Sequence, residues 1–154
     1  MQSRTLKKLL ISIFMLVCTL GYGGVSSADD DGATMDPNGN VANFTGYALV
    51  TCLDDVGKTD HLVASIKDTS PPQDNLLVSL QIIKGVLANS TTDPISGDDD
   101  FSPEIKVQGG KGVYQLLVNK TGEGARSFLV SYHCQTADTP PIHTGTVIVV
   151  QQFK

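Results

Sequence analysis

After residue 28, apolar side chains in this sequence fall at alternate positions, and no segment sustains a helical repeat. Leu62, Ala64 and Ile66 share one face of a predicted strand. Leu76, Val78, Leu80 and Ile82 share another, with Ser79 and Gln81 on the opposite side. Phe128, Val130, Tyr132 and Cys134 repeat the pattern near the end of the chain. Phe44 to Leu53, Ile105 to Val107, Val113 to Asn119 and Thr144 to Phe153 complete the set of strand signals. Clusters of Gly, Pro, Asn and Asp divide them, at 54–57, 68–75, 109–112, 120–125 and 137–141, and residues 85–104 read as one long polar loop. Short alternating runs split by turn formers predict an all-β, antiparallel sandwich of about seven strands in a single domain, residues 41–154.

The N-terminal segment has a different chemistry. Arg4, Lys7 and Lys8 precede an apolar run from Leu9 to about Leu20, and small residues end at Ala28. That order predicts a signal peptide over residues 1–28, cleaved after Ala28. A membrane anchor is the rival reading, but the run falls short of the roughly 20 apolar residues a bilayer requires. Lipid attachment at Cys18 is a second rival, disfavoured by the bulk of Val17 before it. Residues 29–40 hold charge and turn formers with almost no apolar side chains, which predicts a flexible acidic tail.

The leader carries three of the 11 basic residues and none of the 16 acidic ones. The remaining chain therefore sets 16 acidic groups against 8 basic ones, a net charge of −8. Such a surface repels phosphate backbones and anionic lipid, so nucleic acid and membrane are not expected partners.

Cys18 departs with the leader, leaving Cys52 and Cys134. In an oxidising compartment the two most simply pair with each other, and no Cys-x-x-Cys is present. A bridge closing so long a loop stabilises by roughly 4–5 kcal/mol in the chain-entropy account. These features predict a secreted or periplasmic protein.

Tyr132-His133-Cys134 near the end and Cys52 near the start resemble the immunoglobulin-like sandwich, in which a bridge pins two sheets and a tyrosine two residues before the second cysteine closes a corner. The resemblance implies that Cys52 lies on the second strand and Cys134 on the sixth. No tryptophan is present, so the residue that packs on the bridge in antibody domains is missing. The resemblance is one of architecture, and a jelly-roll sandwich is the alternative.

Chemistry-bearing motifs are sparse. His133 and His143 bracket the loop before the final strand and are candidate ligands for copper or zinc. Asp98 and Asp100, in an acidic stretch with Asp93 and Glu104, are candidate calcium ligands, although the spacing is not that of a helix-flanked calcium loop. No Gly-x-Ser-x-Gly, no His-Glu-x-x-His and no phosphate-binding glycine loop occurs, so neither catalysis nor a cofactor is expected. Asn43, Asn89 and Asn119 begin glycosylation sequons that matter only in a eukaryotic host. The expected function is a non-catalytic binding or assembly module that meets a protein or glycan through loops or a sheet edge. An envelope metal-binding protein and a small secreted hydrolase are the alternatives.

Overall fold

The computed structural model describes residues 29–154. The expected signal peptide and Cys18 lie outside the described residues. Ten strands and no helix are found among the described residues. In chain order they are β1 (Asp29–Met35), β2 (Thr45–Cys52), β3 (Thr59–Asp68), β4 (Val78–Lys84) and β5 (Leu87–Thr92). Then come β6 (Ile105–Val107), β7 (Gly112–Lys120), β8 (Arg126–Thr136), β9 (His143–Thr144) and β10 (Thr146–Phe153).

The strands form two antiparallel sheets stacked as a sandwich. The first runs β1-β8-β3-β6, with β9 paired to β8 beyond the end of β1. The second runs β10-β2-β7-β4-β5. Cys52 on β2 and Cys134 on β8 are joined by a disulfide across the two sheets, with Cα atoms 5.5 Å apart. The chain crosses between sheets at Gly145, which separates β9 from β10. A Cβ there would lie 2.5 Å from the Asp55 carboxylate, which accepts a hydrogen bond from Gly145 N and would have to shift to admit a side chain.

Alternation fixes the register. Val78, Leu80 and Ile82 on β4 are fully buried between the sheets, as are Val50, Leu62, Ile66 and Tyr114. Burying one such aliphatic side chain stabilises by roughly 1.5–3 kcal/mol. A slip of one residue on β4 would turn three of them to water and bring Ser79 and Gln81 inside, so the observed pairing is strongly selected.

Three strands depart from the sequence-based expectation. Residues 29–40, expected to form a flexible tail, instead begin with β1, which pairs with β8 along its whole length. Its order comes from backbone pairing and from Met35, which is fully buried, and not from an apolar face. The expected loop 85–104 contains β5, folded back on β4 across a two-residue turn in which Gly85 has a positive φ. The expected final strand 144–153 is divided by Gly145 between the two sheets.

The outward face of the second sheet is organised in cross-strand rows. One reads Val149, Leu49, Gln115, Ile83 and Ala88 from β10 to β5. The next reads Gln152, Tyr47, Leu117, Gln81 and Ser90. A shorter row on one side holds Val147, Thr51 and Val113. On the other side lie Thr45, Asn119, Ser79 and Thr92.

Candidate functional site

The two sheets end together on one side, where β1 and β10 are the edge strands. An apolar cleft of about 380 Å³ lies between them. Its inner wall is formed by Leu116, Val118, Phe128 and Val130, and its β10 side by Ile148 and Val150. The cleft exists because β1 brings little bulk to it. Paired opposite the inward-facing Val130, Phe128 and Arg126 are Asp31, Ala33 and Met35, so only the last carries a large apolar side chain. The Tyr132 hydroxyl donates to the Asp31 carboxylate at 2.6 Å and fastens β1 over the cleft. Gly46 forms part of the floor, where a Cβ would approach Val118 to 2.6 Å. Phe153 closes one end, edge-on to Phe44 with ring centroids 4.9 Å apart.

The two edges differ in their protection. Asp30 and Asp31 place charge on β1, a common guard against unwanted strand pairing. β10 has the sequence Thr-Val-Ile-Val-Val-Gln-Gln-Phe, without charge or proline. Its only interruption is a bulge between Val150 and Gln152. Val150, opposite Ala48 and lining the cleft, is 65% exposed.

The metal candidates fall into two places. His133 and His143 are brought together and stack, with ring centroids 4.6 Å apart and planes within 15°. His133 Nδ1 is buried without a hydrogen-bond partner. Burial, and then the neighbouring His143, push the His133 pKa down. Asp98 and Asp100 occupy a separate turn, closed by a hydrogen bond from Asp100 N to Asp98 Oδ1 at 3.1 Å. Among the described residues no three His, Cys, Asp or Glu side chains gather as a ligand set. His61 is held between Asp60 at 2.9 Å and Gln135 at 3.1 Å. Asp93 is buried and accepts from Asp68 N at 2.7 Å, which assigns it to the fold.

Two buried ion pairs escape a reading of the sequence. Asp36 meets Lys120 at 3.0 Å, and Asp68 meets Arg126 at 3.1 Å. Arg126 is held further by Pro71 O, Ser96 Oγ and Gln73 Oε1, and it ties the loops on either side of the β4–β5 hairpin to β8. No family model, curated protein or solved structure matches this chain.

Proposed function

We propose that this chain is an exported, non-catalytic binding or assembly module that takes an extended segment of a partner protein at its open side. The single observation that carries the reading is the uncharged, unguarded edge of β10 beside an apolar cleft. An edge strand offers a row of backbone donors and acceptors to an incoming strand. Affinity then comes from main-chain hydrogen bonds and specificity from pockets for alternate side chains. A partner strand laid along β10 would direct every second side chain between the sheets, where Ala33 and Asp31 leave space. The chemistry favours aliphatic residues at those positions.

The sheet orders support the finer, immunoglobulin-like reading. β10-β2-β7-β4 follows the order A-B-E-D of that fold, and β1-β8-β3 follows G-F-C. The bridge then joins B to F. The terminal strands are exchanged: the last strand takes the place of A and the first takes the place of G. A disulfide between the sheets suits an oxidising, secreted or periplasmic compartment.

A fluorescently labelled synthetic peptide of alternating valine and serine provides the test. Saturable binding is expected in fluorescence anisotropy. It should be lost in Val150→Lys, which sets a charge at the mouth of the cleft, and kept in Leu129→Lys on the outer face of the first sheet. Failure of extended aliphatic peptides to bind the folded protein would defeat the reading.

A further inference from the structure

The described residues carry a net charge of −8, yet the four rows on the outward face of the second sheet hold no carboxylate. The one charged side chain in its four rows is Lys154, at the corner of the face, where its backbone exchanges hydrogen bonds with Thr45. The outer face of the first sheet differs, since Asp30, Lys67, Lys106 and His133 project there. A half-apolar sheet face without carboxylates is unusual on so acidic a surface, where solubility is otherwise secured by them. Val113, Val147 and Val149 are each about half exposed on it.

We infer that this face is the contact between two copies of the chain, packed sheet against sheet. Charge argues for the occupant. A cationic partner would gain most from the acidic loops and least from this face. Two copies that each bear −8 repel one another wherever carboxylates meet, and this broad face lets them close without burying a like-charge pair.

The grading of the rows argues for self-complementarity. The rows of Val147 and Val149 are largely apolar, and the row from Thr45 to Thr92 is wholly polar. A two-fold axis parallel to the strands sets each row on its own counterpart, apolar on apolar and hydroxyl on hydroxyl. That is the isologous arrangement of a closed dimer, with strands aligned as in ordinary sheet-on-sheet packing.

Area is consistent with association of moderate strength. Five strands about 4.8 Å apart and four rows about 6.7 Å apart give a projected face of roughly 600 Å². With side-chain relief this approaches the roughly 800 Å² per partner of a standard interface. The contact is independent of strand addition at the cleft, which uses the inward side of β10.

Sedimentation equilibrium on the oxidised protein tests the inference. A monomer–dimer equilibrium is expected, tightening as salt rises from about 0.02 to about 0.5 M because screening relieves the repulsion between two acidic bodies. Leu49→Glu should weaken the dimer at least about tenfold, because the symmetry places two new charges in one interface. Gln115→Glu, at an exposed position, should act in the same direction and covers the case in which Leu49→Glu does not fold. Leu129→Glu should leave the dimer intact. A protein that stays monomeric throughout overturns the inference and leaves the face to a different, neutral partner such as a glycan. A dimer that persists in Gln115→Glu but fails in Val150→Lys assigns the contact to the β10 edge and overturns it equally.

Discussion

The Asp36 carboxylate and the Lys120 ammonium meet 3.0 Å apart with neither side chain reaching solvent. Asp36 also accepts from the backbone N–H groups of Asn40 and Val41. Lys120 in turn donates to the carbonyls of Val41 and Gly122. The pair thus ties the segment after β1 to the end of β7.

Acid titration should expose that tie. Burial raises the Asp36 pKa, but the hydrogen bonds from Val41, Lys120 and Asn40 outweigh it and hold the carboxyl at about 2. A carboxyl lowered by folding stabilises fully above its ordinary value of 3.8, and the contribution is lost as pH falls through about 2. The melting temperature of the wild type should therefore fall steeply between those values, and Asp36→Asn should flatten the slope. Lys120→Met should depress the melting temperature more than Lys111→Met, because only the former strands a buried carboxylate.

Arg126→Met is expected to be more damaging than its location near a strand terminus suggests. It leaves Asp68 fully buried without its 3.1 Å partner. Breaking a buried pair on one side costs about 3–5 kcal/mol. Denaturant melts of Arg126→Met and of Asp68→Asn/Arg126→Met should show the double variant recovering part of that loss.

His133 should give stability a second, milder pH dependence. Its pKa is lowered chiefly by burial and secondarily by His143, so the folded state favours neutral imidazole. The unfolded chain takes up a proton near pH 6.5 that the folded chain refuses, and stability falls as pH drops below that value. Above it the contribution is flat. Melting temperatures recorded from pH about 7 to about 5 should decline in the wild type and level off in His133→Asn.

Reduction of the Cys52–Cys134 bridge should lower unfolding free energy by about 4–5 kcal/mol, through the entropy regained by an unfolded chain no longer closed into a long loop. Guanidinium melts with and without reductant measure it, and Cys52→Ala/Cys134→Ala should match the reduced protein.

Strands with two-residue alternation were legible from the chain: Leu76–Ile83 and Ser127–Gln135 correspond closely to β4 and β8, and Ile105–Val107 is β6 without adjustment. β1 was hidden because Asp30 to Thr34 bring no apolar face, and its order is supplied by a partner about 100 residues away. β5 was hidden because Leu-Ala-Asn-Ser-Thr-Thr does not alternate; Gly85 before it was the available signal. Asp36, Lys120, Asp68 and Arg126 are not singled out by the sequence, since pairing at such separations leaves no local trace. The proximity of His133 and His143 followed from their places beside one loop. The cleft and the carboxylate-free face depend on which strands become neighbours, and alternation within a strand is silent about that.

Because β1 pairs with β8, and β10 with β2, the first and last of the described strands each complete a different sheet. A nascent chain halted before residue 126 has no partner for its first strand. One halted before residue 146 leaves β2 as a bare margin. Closure of the sandwich therefore waits for β10, which pairs with a strand about 100 residues earlier in the chain.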